Sequence, residues 1–314
     1  MRHLKKANIL LLLSTFILLL AGCANSGNEN RTKDSGNNKM KVVTTFYPMY
    51  EFTKNVAGDK ANVQLLIPSN VEPHDWEPTP KDVANIQMAK LLVYNSASLE
   101  TWVPNIQKSL GKSGPTFVAA SNDITLMKGV GDEDSTDGKE EMDPHVWLSP
   151  ALAQQEVKTI TKALVKADPK NKSYYEKNSK DYINKLQVLD NKFRSELKDV
   201  KRNEIITQHA AFGYLAKEYN LKQVPIAGLS PDQEPSPAKL AELKKFAKKH
   251  DLKVIYYEEL ASPKVANTLA KEIGAKTKVL NTLEGLSKAD QKKGMDYISV
   301  MEENLASLKQ TLNE

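Results

Sequence analysis

Residues 168–200 read DPKNKSYYEKNSKDYINKLQVLDNKFRSELKDV. Tyr175, Tyr182, Leu186, Leu189, Phe193, Leu197 and Val200 recur at steps of three, four and seven, which is one apolar stripe along a helix. Lys, Asp, Glu and Asn fill most of the other face. At 1.5 Å per residue the helix is roughly 45 Å long, and Asp168-Pro169 starts it. Strand-rich sequence lies on both sides of it. The stretch therefore reads as a strut between two lobes rather than a surface helix of one.

Before the strut, strands are predicted at 41–47, 63–67, 91–94 and 116–118; after it, at 204–207, 223–226, 254–257 and 278–280. Helices fall between them. Thr79, Pro80 and Asp82 make a capping box, and Pro237 and Pro263 each follow a capping serine, Ser236 and Ser262. A further helix begins near Ala210. Ser287 with Asp290 caps the last helix, whose buried stripe is Ile298, Met301, Leu305, Leu308 and Leu312; Met295 and Met301 read as core filler. Alternating strands and helices predict an α/β fold of two lobes, each a mostly parallel sheet flanked by helices, joined by one long helix. The expected division is 40–167, 168–201 and 202–314. No sequence repeat accompanies the repeated element order.

The N-terminus lies outside this fold. Arg2, Lys5 and Lys6 precede an apolar run, Ile9 to Leu20, too short for an ordinary spanning helix. Leu20-Ala21-Gly22-Cys23 resembles a bacterial lipobox, which implies a signal peptide over 1–22 and acylation at Cys23. Residues 24–38, ANSGNENRTKDSGNN, hold no large apolar side chain and read as a tether, so 23–39 is expected to be a lipid-anchored linker. Cys23 is the single cysteine, which rules out an intrachain disulfide and a thiolate metal site. The net charge of +5 falls to +2 without the three cations of 1–22, which gives no support for a nucleic-acid partner. Residues 128–141, KGVGDEDSTDGKEE, read as an acidic surface loop without the calcium-loop spacing.

Four side chains stand where metal chemistry can occur. His74 (VEPHDW), His145 (DPHVW) and His209 (ITQHAAF) sit in turns or just past strands, and Glu284 (NTLEG) follows the last strand. Ligand groups in open parallel sheets gather beyond the carboxyl ends of strands. Three imidazoles and one carboxylate suit a zinc-sized cation. Asp75 and Asp143 are candidates to accept the second N–H of His74 and His145, and Trp147 can seal the site from water. Glu258 and Glu259 are rival acids. His3 falls in the signal segment, and His250 in a lysine-rich helix end.

The segments VVTTFYP (42–48), VEPHDWEPTP (71–80), DPHVWLSP (143–150), ITQHAAFGY (206–214) and GLSPDQEPS (228–236) occur in this order. Together they resemble the metal-binding lipoproteins of bacterial ABC importers for zinc and manganese, the adhesin-type solute-binding proteins, and most closely their zinc branch. The resemblance covers 40–314. It implies metal bound in an interlobe cleft by His74, His145, His209 and Glu284, delivery to ABC permease subunits, and a monomer held outside the cell membrane. Manganese-binding relatives carry Glu and Asp at the third and fourth positions, so His209 and Glu284 favour Zn2+. The acidic 128–141 segment replaces a histidine-rich loop found in many zinc members. A non-enzymatic zinc receptor is the leading expectation; a manganese receptor, a surface adhesin and a zinc hydrolase are the alternatives. The hydrolase lacks an H-E-x-x-H helix. Glu284 is the expected moving ligand, because Gly285 follows it.

Overall fold

The computed structural model describes residues 39–129, 141–231 and 235–314. The signal segment, Cys23, most of the tether and most of the acidic loop lie outside the described residues. Among the described residues no helix is long and apolar enough to cross a membrane.

Two four-stranded parallel sheets form the frame. The first holds β1 (Met40–Thr44), β2 (Ala61–Leu65), β3 (Leu91–Tyr94) and β4 (Thr116–Ala119) in the order β2-β1-β3-β4. The second holds β5 (Glu204–Thr207), β6 (Lys222–Pro225), β7 (Val254–Tyr257) and β8 (Lys276–Val279) in the order β6-β5-β7-β8. The two orders are the same, so each lobe carries one topology. Val42, Val43, Leu92, Val93, Ile206 and Ile255 are buried, as strands covered on both faces require.

Helices fill the crossovers: α1 (Tyr47–Ala57), α2 (Pro80–Gln87), α3 (Val103–Leu110) and α4 (Pro150–Ala167) before the strut, then the strut itself, α5 (Lys172–Leu197). After it come α6 (Gly213–Glu218), α7 (Pro237–Lys249), α8 (Lys264–Ile273), α9 (Lys288–Lys293) and α10 (Tyr297–Leu312). Thr79 and Asp82 form the expected capping box, and the Ser149, Ser236 and Ser287 hydroxyls cap α4, α7 and α9.

Several boundaries differ from the sequence reading. Ser262 does not cap α8, whose N-cap is Pro263 without a side-chain bond, and the helix expected near Ala210 starts at Gly213. The first strand stops at Thr44, because Pro48 sits in the first turn of α1 and Tyr47 and Phe46 turn inward. A 3-10 turn, Pro169–Asn171, precedes α5, and Asp168 accepts hydrogen bonds from Tyr175 Oη at 2.8 Å and Asn171 Nδ2 at 2.6 Å. The last helical stretch is two helices. Gly294 adopts φ +71° after α9, and Asp296 with Ser299 makes a second capping box that starts α10.

Strut α5 buries Tyr175, Tyr182, Leu186, Leu189, Phe193 and Leu197. It packs on α1 and α4 of the first half and on α10 of the second. One core cluster consequently runs from Val42, Phe46 and Phe52 through the strut to Tyr297, Met301 and Leu308. Smaller clusters lie on the outer sides of the sheets, around Leu243 and Ile255 and around Ile86 and Trp102. The carboxyl-end loops of both sheets meet.

Candidate metal centre

His74, His145, His209 and Glu284 are brought to one point among those loops. His145 Nε2 lies 3.2 Å from His74 Nε2, 3.3 Å from His209 Nε2 and 3.4 Å from Glu284 Oε1. Glu284 Oε1 is 3.4 Å from His74 Nε2 and 3.7 Å from His209 Nε2. Ligand bonds of 2.0–2.1 Å in a tetrahedron place neighbouring donors about 3.3–3.4 Å apart. These five separations are therefore close to the edges of a zinc-sized tetrahedron.

Each donor is aimed by its own segment. His145 follows Pro144 and precedes the 3-10 turn Val146–Leu148 that leads into α4. Its backbone N–H and Nδ1 both point at Asp143 Oδ1, at 2.9 and 2.8 Å. The Pro144 carbonyl takes an N–H from Asn95 at 2.7 Å, and the Asp143 carbonyl takes the Tyr214 hydroxyl at 2.7 Å. His209 sits two residues past β5. Its carbonyl accepts from Thr207 Oγ1 at 2.7 Å and Gln223 Nε2 at 3.0 Å, and its Nδ1 pairs with buried Glu258. With Nδ1–H given to a carboxylate, each of these two imidazoles turns the Nε2 lone pair inward.

Asp75 does not play the part expected of it. It is exposed, and the His74 backbone N–H goes instead to Glu72 Oε1 at 3.1 Å. Adjacency in sequence suggested Asp75, but the turn carries its side chain to solvent. Of the rival acids, Glu258 joins the site through His209, while exposed Glu259 accepts from Asn281 Nδ2 at 3.0 Å. Position at the end of β7 was the available signal for Glu258; its pairing with a histidine 49 residues away was not readable.

Glu284 is held by a constrained loop. Leu283 has φ +56° and is fully buried, an unusual conformation for a bulky residue. Its N–H bonds Asn281 Oδ1 at 2.7 Å, and Asn281 is in turn locked by reciprocal 2.8 Å bonds with Asn304 of α10. Trp147 Nε1 donates to the Thr282 carbonyl at 2.8 Å, so the indole binds the His145 segment to the Glu284 loop. Thr282 Oγ1 donates to Glu284 Oε2 at 3.0 Å. Glu284 Oε1, facing the three imidazoles, is buried and has no hydrogen-bond donor. An anionic oxygen and lone pairs converging in a dry space fit a cation.

Electrostatics agree with that reading. Burial raises the cost of charge on Glu284, but its contacts with His145 and His74 hold the carboxyl well below the ordinary range. Burial opposes charge on His145 too, yet Asp143 and Glu284 push its ring up to about 9. Burial pulls His74 down. Burial also raises Glu258, and its contact with His209 works against that rise. The site thus favours positive charge.

Two sheets of one topology, meeting over a cation-sized cluster of buried donors, define a two-lobed binding protein of the solute-receptor class. The chain belongs to the ZnuA family, zinc-uptake complex component A, periplasmic, which matches residues 42–311. It is 61% identical over 314 residues to the high-affinity zinc uptake system protein ZnuA of Bacillus subtilis (strain 168), covering 98% of each chain. It is 49% identical over 312 residues to the zinc-binding lipoprotein AdcA of Streptococcus pneumoniae serotype 4, covering 97% of this chain and 61% of that one. The crystal structure of Zn(II)-bound AdcA from Streptococcus pneumoniae superposes with a TM-score of 0.77 at 51% identity, covering 88% of this chain and 58% of AdcA. The chain thus spans about three fifths of AdcA and nearly all of the Bacillus protein. The two-lobed α/β expectation and the family resemblance read from the sequence both hold.

Proposed function

We propose that His74, His145, His209 and Glu284 bind Zn2+ as the cargo of an extracytoplasmic receptor, which passes it to an ABC permease. The carrying observation is the spacing of three imidazole nitrogens and one carboxylate oxygen at 3.2–3.7 Å, with the carboxylate oxygen left without a donor. Three neutral nitrogens and one anion favour borderline-soft zinc over manganese, which prefers more oxygen. Four protein donors fill the tetrahedron and leave no place for a reactive water, so the site captures rather than hydrolyses. Acylated Cys23 and the 23–39 linker hold the body, a monomer, at the outer face of the membrane.

The decisive measurement is metal content and affinity of the purified protein for Zn2+, Mn2+ and Fe2+, with His209→Ala alongside. One tightly held Zn2+, lost in the variant, is expected. A preference for Mn2+, or unchanged zinc binding in His209→Ala, overturns the assignment. Cys23→Ser is expected to shift the protein from the membrane fraction to the soluble one.

A further inference from the structure

We propose that Asn95, anchored by buried Glu100, is the positioning residue for His145. The inference rests on the reading of His145 as a zinc ligand. His145 is the central residue of a tight turn. The Pro144 carbonyl accepts the Val146 N–H at 2.8 Å, and His145 has φ −78° and ψ 39°. The same carbonyl accepts Asn95 Nδ2 at 2.7 Å. This carbonyl and the His145 Cα belong to one planar peptide unit, so a shift of the carbonyl carries the imidazole with it.

Asn95 is itself fixed at both backbone groups. It follows β3, which ends at Tyr94. Its N–H goes to Glu100 Oε1 at 3.0 Å, and its carbonyl accepts the Ser121 N–H at 3.2 Å and Ser121 Oγ at 2.8 Å. Glu100 also accepts the Thr45 hydroxyl at 2.6 Å and the Ser96 N–H at 3.0 Å, so one carboxyl ties the ends of β1 and β3 together. A short side chain on so fixed a backbone has little choice of where to deliver its N–H. Asn95 Oδ1 is buried and accepts no bond among the described residues. The amide therefore sits in the core for the donor it offers to Pro144.

The residues flanking His145 are bonded to both lobes. Tyr214 Oη donates to the Asp143 carbonyl at 2.7 Å, Trp147 Nε1 to the Thr282 carbonyl at 2.8 Å, and Tyr297 Oη to the Trp147 carbonyl at 2.5 Å. These three bonds reach the second lobe. The Asp143 N–H, given to the Met127 carbonyl at 2.9 Å, and the Phe46 ring edge-on to Trp147 reach the first. Asp143 Oδ1 sets the direction of the His145 ring. Asn95 sets where the turn itself stands against the first sheet. Without its N–H the turn is freed to shift with the second-lobe residues, and metal–donor distances tolerate only about 0.2 Å.

The test is a mutant cycle on zinc release into excess chelator, with Co2+ spectra reporting the donors. Asn95→Ala leaves a small cavity and Asn95→Leu fills the space. Both remove the N–H, while the Val146 N–H still satisfies the Pro144 carbonyl. Each is expected to release zinc about 10–100-fold faster than the wild type. Added to His145→Ala, either should change the rate less than about twofold; added to His74→Ala, either should keep its whole effect. The Co2+ spectra of both should move toward that of His145→Ala. A wild-type release rate in either folded variant overturns the proposal. So does an effect of equal size in the His145→Ala and His74→Ala backgrounds, which marks a general loosening of the lobe. Failure of the ligand reading looks different, because His145→Ala would itself then bind zinc like the wild type. Melting of the metal-free proteins checks folding, and if one variant is poorly folded the other carries the comparison.

Discussion

Replacing Glu258 by Gln separates the orienting and electrostatic roles of a carboxylate that reaches the four-donor cluster through His209. Glu258 is buried at the end of β7 and takes Nδ1–H of His209. Glutamine keeps the shape and can still accept that proton, so the ring keeps its direction. What is lost is one negative charge beside the cation, together with the basicity it lends to Nε2. Loss of such a partner costs about 10–100-fold in metal affinity, or about 1.4–2.7 kcal/mol. Glu258→Ala goes further. It leaves the Nδ1–H unpaired in a dry site, which costs about 1–3 kcal/mol of folding stability even without metal. Competition of each variant against a zinc chelator, with melting of the metal-free proteins, distinguishes the two effects. Glu258→Gln should weaken zinc binding within that range with little change in metal-free stability, whereas Glu258→Ala should lower both. An affinity within twofold of wild type in Glu258→Gln refutes the supporting role. A loss as large as that of His209→Ala would instead make Glu258 a ligand.

Three further outcomes are expected. Because Asp143 and Glu284 push the His145 ring up to about 9, a proton should compete with zinc below that pH; affinity should weaken by up to about tenfold per unit as pH falls, and a flat profile from pH 6.5 to 8.5 would contradict it. Zinc at 100 times its dissociation constant should add about 2.7 kcal/mol, a rise of roughly 5–10 °C in melting temperature, and calorimetry should show that rise lost in His209→Ala. Buried Glu100 is raised by burial to about 7, despite bonds from Thr45 and the Asn95 and Ser96 N–H groups. The folded state therefore keeps a proton that the unfolded chain gives up from about pH 4.5, and stability should fall with rising pH across that window by up to about 1.4 kcal/mol per unit. Denaturant titrations of wild type and Glu100→Gln at pH 5 and 7 should show a smaller decline in the variant, and equal declines would exclude this role.

The repeating apolar stripe of 168–200 made the strut legible, because a helix face is encoded within a few residues of itself. Strand-end positions likewise marked His209 and Glu284, and rigid Pro-His turns marked His74 and His145. What escaped reading was set by contacts between distant segments. Asp75 looked like a partner for His74 by adjacency, yet the turn exposes it, and Glu258 serves His209 across 49 residues. Trp147 was read as a water seal; what its indole N–H does is join the His145 and Glu284 segments, 135 residues apart. Gly285 suggested mobility as a residue type; its neighbours show a requirement for space. The split of the last helix at Gly294 was present in the sequence, but the Ser287 capping box obscured a second start at Asp296.

The order of the donors along the chain has a consequence for unfolding. His74 and His145 are 71 residues apart, His145 and His209 64, and a comparable span leads on to Glu284. An ion held by all four closes three long loops at once, in the manner of a reversible cross-link. Because the four donors converge in the folded chain and not in the unfolded one, the ion stabilises the folded state by mass action and leaves as the chain opens. The cargo is thus also a temporary staple. A loaded molecule should resist proteolysis in both lobes together, and handing over the ion returns each lobe to its own, lower resistance.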